Sequence, residues 1–122
     1  MDLTGKVALV LGSIKGIGLA IGLSLAQSGV RLALTYNDWE AHLPQMKLVI
    51  DRVGADAMIE KIDLLQTDRV QGLMDRILDR FGRLDILVNN IERGGWPIVH
   101  GPYHRQQWDL EMATTLRAKW WV

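Results

Sequence analysis

The stretch Gly12-Ser13-Ile14-Lys15-Gly16-Ile17-Gly18 carries the clearest chemistry in the chain. It lies between a short apolar run, Lys6 to Leu11, and a segment with helical periodicity. Glycines so placed let a backbone turn sharply, approach an anion closely and offer it the free N–H groups of a helix start. Gly12 would make the turn, Gly16 would admit a diphosphate, and Gly18 would let the helix settle on the sheet. The competing reading is a tight turn that needs glycine for backbone reasons alone. The spacing differs from GxxxxGK[ST], which disfavours a nucleoside-triphosphatase. The chain has no cysteine, which excludes a disulfide scaffold, a thiolate-bound metal and a thiol nucleophile. His100 and His104 stand four apart with Glu92 upstream, but Pro102 lies between them, so they read as loop histidines and no metal is expected.

Such a loop works only if a strand and a helix hold it. Lys6–Leu11 is apolar on both faces, as a strand covered on both sides would be. Ile17, Ala20, Ile21, Ser24 and Leu25 are spaced for one face of a helix that stops at Gly29. Val30–Tyr36 reads as a second strand. Leu43, Met46, Ile50 and Val53 mark a second helix, with Pro44 near its start. Ala57–Ile62 is a third strand. Thr67 is placed to cap a helix that buries Val70, Leu73, Met74, Ile77 and Phe81 and ends at Gly82. Leu84–Val88 is a fourth strand, residues 90–104 a loop, and the chain is helical again from Gln106. Strands alternating with helices at these intervals predict parallel pairing and a doubly wound α/β sheet.

The whole is one domain: 122 residues, 48% of them hydrophobic, suffice for a single core and not for two. Fourteen basic residues balance fourteen acidic ones, so no net field draws nucleic acid or an anionic membrane. Trp108 and Trp120, at helical spacing without a basic groove, read as core or subunit contact rather than a base-stacking platform. The apolar run Val7–Leu11 is far below the ~20 residues of a membrane span, and a cytoplasmic protein is expected. The last helix runs to Trp120-Trp121-Val122 without a polar cap. That predicts a chain cut short, an open edge on the fourth strand, and self-association through Trp108, Met112 and Trp120.

Taken together, these residues resemble the short-chain dehydrogenases/reductases, whose pattern is TGxxxGxG after the first strand, Asp after the third and NNAG after the fourth. Here these are Leu11–Gly18, Asp63-Leu64 and Asn89-Asn90-Ile91-Glu92, and FGRLDILVNN from Phe81 to Asn90 is the most specific match. The resemblance implies a Rossmann-type sheet in the order 3-2-1-4, with residues 1–122 as the NAD(P)-binding, N-terminal part of the fold and its C-terminal half absent. It implies that Gly12, Ser13, Gly16, Ile17 and Gly18 line the pyrophosphate and adenosine ribose. Asp63, followed by Leu64, would accept from the adenine amino group. Asn89 would tie the fourth strand to the glycine loop, and Asn90 would contact the ribose region. The position where NAD-preferring relatives place an acid falls at Tyr36, followed by Asn37, with Asp38 too late. Lys15 stands where NADP-preferring relatives carry a cation for the 2′-phosphate. With no opposing carboxylate, NADP(H) is favoured over NAD(H).

The departures from the pattern are specific. Leu11 replaces a loop-holding Thr, Ile14 stands where relatives offer a hydroxyl, and Ile91-Glu92 replace Ala-Gly beside the cofactor. The resemblance implies hydride transfer between nicotinamide and a carbonyl or alcohol substrate, with a Tyr-x-x-x-Lys pair handling the proton. Tyr36 is followed four residues on by Glu40, and Tyr103 by Gln107, so no catalytic set is present. A family Asn on the fourth helix falls at Thr115. Residues 1–122 are therefore expected to bind cofactor without turnover. A non-catalytic nucleotide-binding module is the alternative. A receiver-type signalling domain needs an acidic pair where Leu11 and Gly12 stand.

Overall fold

The computed structural model describes residues 2–91 and 104–117. Four strands form one parallel sheet: β1 (Val7–Leu11), β2 (Arg31–Tyr36), β3 (Ala57–Lys61) and β4 (Ile86–Asn89), in the order β3-β2-β1-β4. The helices are α1 (Gly16–Gln27), α2 (Leu43–Arg52), α3 (Thr67–Phe81) and α4 (Arg105–Glu111). A 3-10 turn at Glu40–His42 leads into α2, and α4 continues as a π-helical stretch over Met112–Arg117.

The unbroken apolar run of β1 follows from its place between two neighbours and two helical layers. Val7, Leu9 and Leu11 face Leu73, Ile77 and Phe81 of α3, while Ala8 and Val10 face Met46 and Ile50 of α2 and Leu19 and Leu23 of α1. All five β1 residues are fully buried. β3 lies at one edge of the sheet, and its polar residues are used there. Glu60 forms a two-point ion pair with Arg76 of α3, at 2.6 and 2.9 Å, and Lys61 pairs with Glu40.

Three local expectations are corrected. The inward side of α1 is Gly18, Leu19, Gly22, Leu23 and Ala26; of the expected face only Leu25 packs on the core, and Ile17 is 72% exposed. The helix is apolar nearly all round, so hydrophobicity does not mark its inner face. The glycines do, because a Cβ on Gly22 would come within 3.2 Å of Leu34. Thr67 is the first residue of α3 rather than its cap, and Gln66 precedes it with no side-chain cap bond. β4 begins at Ile86, not Leu84. Asp85 instead accepts the Val7 N–H on its carboxylate at 2.9 Å and donates its own N–H to the Val7 carbonyl at 2.9 Å.

Parallel pairing brings the C-terminal ends of β1, β2 and β4 to one edge, with Leu11 opposite Asn89. In open α/β sheets ligands bind at that edge. Among the described residues, no helix is long and apolar enough to cross a membrane.

Candidate cofactor site

The glycine loop leaves β1 at this edge and is held from both sides. On the β2 side, Ser13 donates its N–H and its hydroxyl to the Thr35 carbonyl, at 2.8 and 3.1 Å. Ser13 is completely buried, so its hydroxyl fastens the loop and does not face a ligand, contrary to the role expected of it. On the β4 side, Asn90 Nδ2 donates to the Gly12 carbonyl at 3.0 Å. The tie is thus Asn90, and Asn89 lies within β4, exposed. Strand alternation explains the exchange: moving one residue past the strand end redirects the side chain toward the loop. Leu11, where the family pattern has Thr, is buried in the core, and the loop is held by these bonds.

The three glycines divide the work. Gly12 has φ +67, and a Cβ there would stand 2.3 Å from the Asn90 carbonyl oxygen. Gly18 packs closest: a Cβ would meet the Gly12 carbonyl oxygen at 2.1 Å and Asn90 Nδ2 at 2.7 Å. It seats α1 and does not line the cavity. Gly16 has φ +57 but nothing within 4 Å of a Cβ, so it faces open space. The residue before α1, Lys15, makes no side-chain cap bond, and the first turn carries no acid. The first N–H groups of α1 therefore emerge uncapped beside Gly16, where an anion would complete them.

That space is a cavity of about 670 Å³. Of the expected site residues, Gly12, Lys15, Gly16, Ile17, Tyr36, Asn37, Asp63, Leu64 and Asn90 line it together, and Ser13, Gly18 and Asn89 do not. Asp63 forms a turn, accepting the Leu65 N–H at 3.0 Å on one carboxylate oxygen. The other oxygen has only a 3.4 Å contact with the Gln66 side chain, which leaves it able to accept from a ligand. Ile91 borders the cavity and also packs on the α3-side core; Glu92, His100, Tyr103 and Trp120 lie outside the described residues. At the far wall Thr114, not Thr115, lines the space. Thr115 has a buried hydroxyl without a hydrogen-bond partner among the described residues. The π-helical stretch moves side chains off the register that an α-helix would give.

Asp38 corrects an expectation: it is not too late, because two residues past the end of β2 it lines the cavity, so a carboxylate shares that space with Lys15. Trp39, which sequence reasoning missed, also lines it, with its ring 3.2 Å from Lys15 Nζ. A tryptophan three residues past a strand end, beside a loop lysine, was the available signal.

The residues fit a dinucleotide: an uncapped helix start over an open glycine, a carboxylate acceptor, and a cation at the rim. The short chain dehydrogenase model matches residues 6–121, and the chain belongs to the short-chain dehydrogenase/reductase family. It is 39% identical over 88 residues to an uncharacterised oxidoreductase of Methylorubrum extorquens, covering 72% of this chain and 36% of that one. A short-chain dehydrogenase/reductase mutant from Serratia marcescens superposes with TM-score 0.86 at 28% identity, over 99% of this chain and 49% of that one. A metagenomic short-chain oxidoreductase in complex with NADP gives 0.81 at 32% identity, over 99% and 54%. The chain thus spans about a third of that curated relative's length and about half of these solved chains.

Proposed function

We propose that residues 1–122 are the dinucleotide-binding part of a short-chain oxidoreductase acting between a nicotinamide cofactor and the carbonyl or alcohol carbon of a small molecule. The observation that carries this is the uncapped start of α1 beside Gly16, opening into a cavity that the ends of β1, β2 and β4 share. The N–H groups there would hold the diphosphate, and Tyr36 and Asn37 would border the adenosine ribose. Asp63 would accept from the adenine amino group, with Leu64 and Leu65 beside the ring. The bound nicotinamide supplies the hydride chemistry. This chain's residues bind and orient it.

NADP(H) is the favoured form, because Lys15 is the only cation lining the cavity among the described residues. Lys61, at the end of β3, is engaged by Glu40. The structural neighbour in complex with NADP supports the same choice. Asp38 supports a second reading, NAD(H), since a carboxylate there would take ribose hydroxyls and repel a 2′-phosphate. Tryptophan quenching separates them, because Trp39 borders the cavity. NADPH should quench more strongly than NADH, and Lys15→Ala should shrink the difference. Equal quenching removes the case for Lys15, and stronger quenching by NADH favours Asp38. We also propose that the chain associates with copies of itself through α4 and the π-helical stretch after it, where Trp108 and Leu116 are exposed.

A further inference from the structure

We propose that Trp39 is a positioning residue that sets this site's preference for a 2′-phosphate by holding the Lys15 ammonium at the cavity rim. The inference rests on the dinucleotide reading above. Among the described residues, Trp39 is the one non-glycine residue with positive φ, at φ 64, ψ 34. A bulky side chain adopts that conformation only where its surroundings impose it, and such residues gather at ligand sites. Core packing does not impose it here, since Trp39 is 55% exposed.

The contacts of the ring suggest what the conformation is for. The His42 N–H donates to the Trp39 carbonyl at 2.9 Å, which closes the 3-10 turn. The His42 ring meets the indole edge-on, with centroids 6.1 Å apart. Held from that side, the indole presents its face to Lys15 Nζ, 3.2 Å from the centroid. A ring face attracts an ammonium without neutralising it. That separates Lys15 from Lys61, whose charge is spent on Glu40. The stack restrains a flexible four-carbon side chain, and among the described residues no carboxylate forms an ion pair with the Lys15 ammonium. Lys15, Tyr36, Asn37, Asp38 and Trp39 line the same cavity, so the stacked ammonium must act there against the Asp38 carboxylate. Trp39 therefore acts on a 2′-phosphate through Lys15 without touching it.

The test compares wild type with Trp39→Gly, which removes the ring and relaxes the left-handed backbone, and with Trp39→Phe, which keeps an aromatic face. Calorimetry on the 122-residue chain gives the affinities for NADPH and NADH. Trp39→Gly should weaken NADPH about two- to fivefold, the scale of an exposed cation–π contact, and leave NADH unchanged. Trp39→Phe should retain most of the preference, and Trp39→Gly should have no effect on it in a Lys15→Ala background. In the ligand-free protein, ring-current shifts should move the Lys15 ε-methylene protons upfield in wild type and not in Trp39→Gly. Equal weakening of both cofactors would mean that the indole stacks on adenine, and overturns the proposal. So does an unchanged cofactor ratio, or an unshifted Lys15 signal in wild type. If wild type shows the Lys15 shift but binds neither dinucleotide, the cofactor reading fails first and this inference with it.

Discussion

Ser13, Gly16 and Gly18 lie within six residues of one another, yet substitution should affect each differently. Gly18→Ala places a methyl group 2.1 Å from a backbone oxygen, so α1 must move off the sheet. We expect a loss of about 1–3 kcal/mol, the usual cost of overpacking, read as a lower urea midpoint. Gly16→Ala meets no atom and bears only the left-handed strain, about 1–2 kcal/mol. Its larger effect should be on dinucleotide binding, because the methyl group would enter the open space in which the proposed site would seat a diphosphate. Ser13→Ala should cost about 1 kcal/mol or less, since the Thr35 carbonyl keeps its bond from the Ser13 N–H. The sequence shows that this loop approaches something closely. It does not show which member faces inward: Ser13 turns to the core, and Asn90 rather than Asn89 grips Gly12. Those directions depend on where β1 and β4 end relative to each other, which is a tertiary fact.

Among the elements, β1 and α3 were legible because their residue patterns match their surroundings. β1 is covered on both faces, and α3 buries Val70, Leu73, Ile77 and Phe81 on one. The helix α1 was legible but its inner face was not, because a helix apolar all round has no stripe to read, and glycine contacts choose its face. The 3-10 turn before α2 and the π-helical end of α4 depend on backbone hydrogen bonding that residue spacing does not encode. The junction of β1 with β4 gives a pH prediction. Asp85 accepts from the Arg83 guanidinium and from the Val7 N–H, which hold its carboxyl down to about 2, against an ordinary 3.8. The folded state therefore binds this proton less readily than the unfolded chain. The resulting stability is present above about pH 3.8 and is lost as the pH falls through about 2. Urea midpoints measured from pH 5 to pH 2 should fall more steeply for wild type than for Asp85→Asn.

At the scale of the whole molecule, the parallel sheet and the position of the loop at its C-terminal edge follow from the alternation of elements, while the order β3-β2-β1-β4 was implied by the family resemblance. Assembly is a separate matter. Trp108 and Leu116 stand exposed on and just past α4, so light scattering should find oligomers, and Trp108→Ser should shift them toward monomer. A monodisperse wild-type monomer would end that expectation. The two tethers of the glycine loop have a further outcome. Ser13 is guyed to β2 and Gly12 to β4, so slack in either flank frees the span between them. The Ser13 amide should thus exchange with deuterium whenever either neighbouring strand frays, and a saturating dinucleotide, by bracing the span from above, should slow that exchange more than it slows exchange in α3.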